Sequence, residues 1–174
     1  MDGAVVLKAE GLHHPIFRGI SAVKMYKIPV SVLVIIHTPD MRILLLERAD
    51  HPGYWQSVTG SQNPDESLRQ TAVREVAEET GLDAGRYELT DWGIQNEYEI
   101  YEEWRWRYAP EVTRNTEHVF GLRLPEAIPV IVSPREHLGF AWLPWQEAAE
   151  KVFSPSNADA IQRLAAVECR GKPS

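Results

Sequence analysis

The segment from Gly60 to Leu82, GSQNPDESLRQTAVREVAEETGL, constrains the fold of this chain more than any other. Leu68, Ala72 and Val76 recur at an interval that a helix brings to one side, and the pattern predicts a helix from about Glu66 to Thr80. A loop rich in Gly, Asn and Pro, Gly60 to Asp65, leads into it, and Gly81 supplies its C-terminal stop. Glu75, Glu78 and Glu79 ride on this helix at i, i+3 and i+4. At about 100° per residue, Glu75 and Glu79 point close to the direction of Leu68 and Ala72. At least two carboxylates therefore sit beside the packed stripe, not opposite it. Like charges so spaced cost about 0.2–0.5 kcal/mol, and partial burial worsens this. A bound cation reverses the sign. Magnesium suits the arrangement, because it takes oxygen ligands, keeps several waters and is shared with substrate phosphates. Arg74, four residues before Glu78, is spaced to orient that carboxylate through a charge-assisted bond.

The rest of the chain reads as one domain. Val30–Ile36 is an apolar, β-branched run expected to form a buried strand, followed by a Thr38-Pro39-Asp40 turn and a second strand at Ile43–Leu46. Further strands are expected at Tyr87–Gln95, Glu97–Tyr108, Glu117–Leu124 and Phe140–Leu143, and helices at about Pro144–Val152 and Ser156–Glu168. Strands in runs with helices between and after them argue for an α+β domain with a mixed sheet. Residues 1–24 lack a clear period and are expected to be an extension of the domain that begins at residue 25 and runs to about 170.

Composition removes several function classes. The net charge of −7 opposes general binding to a nucleic-acid backbone, but a divalent metal can carry a small polyanion into an acidic cleft. No apolar run approaches the roughly 20 residues that span a bilayer, and the N-terminus lacks the features of a secretory signal. Cys169 is the single cysteine, so no internal disulfide forms and a cytoplasmic location is expected. His13-His14 and Cys169 have no metal-ligand spacing around them and read as incidental.

A glutamate cluster on a helix is commonly just a solvated face. The wider pattern decides otherwise. Gly60, Glu66, Arg74-Glu75, Glu78-Glu79 and Gly81, with apolar Val76 and Leu82 between and after them, give seven fixed identities at fixed spacing. Chance produces such a set on the order of once per billion starting positions. The segment resembles the Nudix box at every defining position. The resemblance implies the Nudix fold, a mixed sheet between helices, and metal-dependent hydrolysis of a diphosphate linked to another group.

Stretches outside the box resemble, within that family, the bacterial dihydroneopterin triphosphate pyrophosphohydrolases, also described as dATP pyrophosphohydrolases. They are Tyr26–Ser31, Tyr54–Gly60, Arg107–Pro110, Val112–Glu117, Glu136-His137-Leu138 and Trp142-Leu143. This implies release of pyrophosphate and a pterin monophosphate, a step towards folate. It implies Glu75, Glu79, Glu78 and Glu136 as magnesium ligands, with manganese able to substitute, and Glu78, Glu79 and Arg74 in catalysis. It further implies that Lys27, Arg48, Thr59, Tyr98, Glu99, Ile100, Tyr101 and Ser154 contact substrate. Lys27 and Arg48 offer cations to the triphosphate, while Tyr98 and Tyr101 offer an aromatic face or hydroxyl to a flat ring. Glu117 competes with Glu136 as the third acid, and Glu136 is preferred because a loop can bend over the site. The run Trp104–Tyr108 is expected to be a strand with Trp104, Trp106 and Tyr108 on one face, so no nucleic-acid stacking platform is needed, although the run can still line a pocket. A broader nucleoside triphosphate pyrophosphohydrolase, a nucleotide-sensing domain without activity, and an interaction scaffold are the rival readings.

Overall fold

The computed structural model describes residues 23–170. Except for Val23 and Lys24, the N-terminal extension lies outside the described residues, as do His13-His14 and the side chain of Cys169. The elements are β1 (Val30–His37), β2 (Arg42–Arg48), β3 (Trp55–Gln56), β4 (Val58–Ser61), α1 (Leu68–Thr80), β5 (Glu88–Glu99), β6 (Arg114–Arg123), β7 (His137–Pro144), α2 (Trp145–Lys151) and α3 (Pro155–Arg170).

The apolar run in β1 is unbroken because both of its faces are covered. Val32, Val34 and Ile36 face α1 and join Ala72, Val76, Phe120 and Leu122 in one core. Leu33 and Ile35 face the other way and join Ala148, Ile161 and Leu164 from α2 and α3 in a second core. The sheet between these layers is mixed: β1 runs parallel to β6, while its other pairings, with β2 and β4, are antiparallel. The main path is β3-β2-β1-β6-β5, with β7 on β2 and β4 on β1. Each fully buried aliphatic side chain in these two cores contributes roughly 1.5–3 kcal/mol.

The predicted carboxylate helix is present but starts at Leu68, not Glu66. Ser67 is its cap, with a reciprocal bond to Gln70, which leaves the Glu66 side chain free for other partners. Gly81 closes the helix at φ 72°, the left-handed conformation that glycine adopts without strain, and donates its N–H to Ala77. The stripe reading holds, since Ala72 and Val76 are fully buried and Leu68 packs partly against them.

Two strand expectations are corrected. The two strands expected at 87–95 and 97–108 are one long β5 that ends at Glu99, with its register shifting between Asp91 and Gln95 around Gly93 at φ 66°. Residues 102–107 form a 3-10 helix, not a strand. Tyr101 and Arg105 carbonyls accept the N–H groups of Trp104 and Tyr108, and Arg105 reaches back to Glu99 (2.5 Å) and the Ile100 carbonyl (3.2 Å). Local bonds of this kind outweigh the β propensity of the tryptophans. Trp104 turns inward and Trp106 is left exposed, so the expected shared face does not exist. The short strands β3 and β4 were not anticipated. Asn157, at the start of α3, clamps the link between them: its Oδ1 accepts the Ser57 N–H (2.8 Å) and its Nδ2 donates to Ser57 Oγ (2.9 Å). Among the described residues no helix is long and apolar enough to cross a membrane.

Candidate active site

Gly60, in β4, is where the sheet meets the carboxylate helix. A Cβ on Gly60 would lie 2.0 Å from Cδ of Glu75, so any larger residue here would push the Glu75 carboxylate out of this position. Glu75 and Glu79 are both buried there, while Glu78 is exposed. Burial raises the Glu75 pKa to about 7, against the opposing pull of Arg74, and Glu78 and Glu136 add to the rise. Burial likewise pushes Glu79 well up, reinforced by the charges of Glu75 and Glu136. Oε2 of Glu79 is buried with no protein partner.

Arg74 organises this corner with every donor it has. Nε and Nη2 grip Glu66 (2.7 and 3.0 Å), Nη1 reaches Glu75 (2.6 Å) and Glu78 (3.2 Å), and Nη2 also meets the Ser61 carbonyl (2.9 Å). The Arg74 bonds hold the Glu66 carboxyl at a pKa of about 2, and Glu66 also accepts from the Asn63 N–H and the Thr71 hydroxyl. The expected Arg74–Glu78 bond exists, but it is the longest of the set.

Beside the carboxylates opens a cleft of about 680 Å³. Glu79, Glu136, Lys27, Arg48, Thr59, Ser154 and the run from Tyr98 to Tyr101 all border it, so the structure brings most of the sequence-predicted residues together. Glu75 and Arg74 instead border a shallow neighbouring recess that shares Lys27 with the cleft, and Glu78 borders neither. Thr59 spends its hydroxyl on the Val32 carbonyl (2.9 Å). Arg48, at the end of β2, is fixed before any ligand arrives. It pairs with Asp50 (2.6 and 2.8 Å), donates to Gln56 (2.9 Å) and lies over the Trp104 ring at 4.8 Å. Lys27 sits on the rim, where desolvation and the Arg107 charge lower its pKa. Burial and the Arg48 charge hold His137 at about 4, a neutral ring at the cleft wall.

Several cleft residues escaped sequence reasoning. Trp104 forms a wall with Phe153 and Tyr101; the sequence left its run able to line a pocket but placed it on a strand and did not single out Trp104. Asn96, Asn115 and Asn157 line the floor from three separate elements, and no local spacing connects them. Glu117 does lie within a strand, as expected, and it too faces the cleft.

Comparison with known proteins now bears on this geometry. The NUDIX domain family model matches residues 27–164. The chain belongs to the Nudix family. The dihydroneopterin triphosphate diphosphatase of Escherichia coli is 46% identical over 144 residues, covering 81% of this chain and 95% of that protein. Its counterpart in Haemophilus influenzae is 42% identical over 142 residues, covering 79% and 88% respectively. The solved structure of the E. coli dihydroneopterin triphosphate pyrophosphohydrolase superposes with a TM-score of 0.75 at 45% identity, covering 80% of this chain and 97% of that one.

Nudix hydrolases generally need a divalent metal ion. The residues here fit one. Buried Glu79 carries an orphaned oxygen, and Gly60 keeps the space beside Glu75 that any side chain would fill. Among the described residues no three acidic, histidine or cysteine side chains converge as a closed cage, and the Glu75 carboxylate is turned to Arg74. An open Nudix site suits a hard cation that binds through one or two carboxylates and completes its shell with water and phosphate.

Proposed function

We propose that this Nudix domain hydrolyses dihydroneopterin triphosphate to the monophosphate and pyrophosphate, with magnesium held by Glu75, Glu79 and Glu136. The observation that carries the reading is a buried carboxylate pair, one member with an unpartnered oxygen, near the fixed cation Arg48 and the rim cation Lys27. Relatives that are 42–46% identical and named for this triphosphate support the choice of substrate.

The metal, when bound, supplies charge screening and Lewis acidity at the phosphates. The chain's own groups do the rest. Arg48 is held by Asp50, Gln56 and Trp104, so it meets the polyphosphate with little further ordering. Lys27 adds a second cation on the rim. The proton of the attacking water passes to one of the glutamates of this cluster, with Glu79 Oε2 left to the cation. Arg74 does not touch the cleft. Its bonds to Glu66, Glu75 and Glu78 set the rotamers on which the acids depend. Ser154, bonded to Ser156 at 2.9 Å, and the wall of Trp104 and Phe153 bound the space for a flat ring.

The test is turnover of dihydroneopterin triphosphate, dATP and the other nucleoside triphosphates with magnesium, for the wild type and Glu79→Gln, with pyrophosphate and free phosphate measured separately. Pterin preference with pyrophosphate release and a loss of at least about 100-fold in the variant is expected. Full activity in Glu79→Gln overturns the mechanism, and better turnover of a nucleotide overturns the substrate.

A further inference from the structure

The 3-10 segment 102–107 carries Trp104 to the cleft, yet none of its residues is buried. A segment without a core anchor keeps its place through side-chain tethers, each of them weak. Arg105 ties it back to Glu99 and the Ile100 carbonyl at the end of its own strand, and the Lys27 N–H donates to the Arg107 carbonyl (2.9 Å). Two contacts draw it to the loop between β2 and β3: the Trp104 ring under the Arg48 guanidinium at 4.8 Å, and one histidine of that loop.

His51 stands between the two pieces. Its Nε2 lies 3.1 Å from Glu103 Oε1 on the segment, and its Nδ1 lies 3.4 Å from Oδ1 of Asp50, the carboxylate that fixes Arg48. The ring stacks on Tyr54 at 5.3 Å and meets the Trp104 ring edge-on at 5.6 Å. Tyr54 donates its N–H to the His51 carbonyl (3.0 Å), which closes the turn beneath the ring. Nδ1 is buried and makes no aligned hydrogen bond, so what it offers Asp50 is charge. A neutral imidazole has one N–H and an imidazolium has two, so only the charged ring satisfies both carboxylates. Histidine is the side chain whose charge changes between about pH 5 and 8. The charged groups around the ring are Asp50, with Arg48 paired to it, on the loop side, and Glu103 and Arg107 on the segment side, where Arg107 Nη2 lies 4.0 Å from Asp50. The Arg48 bonds hold the Asp50 carboxyl at about 2, so it stays an anion across that range.

We propose that His51 is a positioning residue: by bridging Asp50 and Glu103 it latches segment 102–107 to the β2–β3 loop and holds the Trp104 wall against Arg48. His51 does not line the cleft, and it acts through Trp104 and Arg48, which do. With the latch made, wall and guanidinium are set before a triphosphate arrives, which lowers the ordering cost of binding. Its loss raises KM and leaves the chemical step at the α1 carboxylates as it was. The latch is strongest while the ring is charged and loosens as rising pH removes the proton. The KM effect rests on the triphosphate-hydrolase reading, but the tether itself is separable from cleavage.

The experiment measures hydrogen exchange of residues 101–108 in the metal-free, ligand-free protein, and kcat and KM for dihydroneopterin triphosphate with magnesium, each at about pH 6 and pH 8. Wild type is compared with His51→Phe, which keeps the aromatic contacts without the nitrogens, with Glu103→Gln, which alters an exposed side chain, and with the double variant. At the lower pH each single variant is expected to exchange about threefold faster than wild type in this segment, the size of effect a part-exposed ion pair gives, and to raise KM about threefold with kcat within about twofold. The double variant should be no worse than either single one, because both remove the same bridge. At the higher pH the gap to wild type should close to within about 1.5-fold, as the ring loses its charge. Comparing proteins at one pH cancels the intrinsic pH dependence of exchange and the titration of the shared carboxylates. Full protection in His51→Phe would show that stacking alone holds the wall and overturns the proposal. So does a gap equal at both pH values, additive effects in the double variant, faster exchange with an unchanged KM, or a defect confined to kcat. Latch-dependent exchange without turnover of any triphosphate would leave the tether standing and refute the hydrolase reading instead.

Discussion

Replacing Glu75 with glutamine should stabilise the metal-free protein while destroying its function. The carboxyl has a pKa near 4.5 in an unfolded chain and about 7 in the folded one, where burial outweighs the bond to Arg74. The folded state therefore holds the proton more tightly than the unfolded state. The neutral acid is compatible with folding below pH 4.5, stability is lost as pH rises from there to about 7, and the full cost persists above. From 4.5 to about 7 the cost reaches about 3 kcal/mol as an upper figure. Glutamine keeps the shape and the acceptor for Arg74 but never charges. With chelator present, wild type and Glu75→Gln should melt together at about pH 4, below the unfolded-state pKa. At pH 8 the variant should be ahead by up to about 3 kcal/mol, roughly 6–12 °C for a domain of this size. Buried His37 and His137, whose lowered pKa values act in the opposite direction, cancel in the comparison of the two proteins. Magnesium at about 1,000 times the dissociation constant should reverse the order, since only the wild type gains strongly from binding the cation, by about 4.1 kcal/mol. A difference that does not change with pH, or a variant less stable than wild type at pH 8 without metal, would show that the Arg74 ion pair prevails over burial and that the carboxylate is not strained.

Three further outcomes follow from the same geometry. Gly60→Ala should move the Glu75 carboxylate and lower kcat roughly 100-fold, because the new Cβ falls 2.0 Å from Cδ; unchanged kinetics would mean the helix can retreat freely. Arg74→Lys should reduce stability by about 2 kcal/mol in urea titrations, since an ammonium cannot reproduce the five-donor fork, and full stability would mark the network as dispensable. Arg48→Lys should raise KM for a triphosphate about tenfold with kcat less affected, as the fixed guanidinium is lost; an effect on kcat alone would place Arg48 in the chemistry instead.

The carboxylate helix was legible because its signals are local: the Leu68-Ala72-Val76 stripe, the Gly81 stop and the glutamate spacing all lie within one segment, and only the Ser67 cap that delays its start was missed. The same holds for β1, whose unbroken apolar run announces cover on both faces. Failures came where long-range pairing, or side-chain bonds that override an alternating pattern, decided the outcome. Nothing near Gly93 says that β5 continues through a register shift, since that continuity is supplied by β6. Arg105 and its bonds to Glu99 and Ile100 turned the tryptophan run into a 3-10 helix against its alternating pattern. Within the site, Lys27, Arg48, Tyr98, Ser154 and Glu136 came from resemblance, and physics at the level of sequence did not select them. The polar row of Ser31, Glu117 and Asn96 was invisible as a row for the same reason. Its members are dispersed along the chain, and sheet pairing alone brings them together.

The clamp between Asn157 and Ser57 joins residues 100 positions apart and supplies one wall of the cleft from the last helix of the fold. During synthesis, the acidic helix is made long before that wall exists. A nascent chain can thus assemble its cation-binding corner early, yet it has no enclosed space for a ring until the final helix leaves the ribosome and docks. Selectivity is the last property this molecule acquires as it is born.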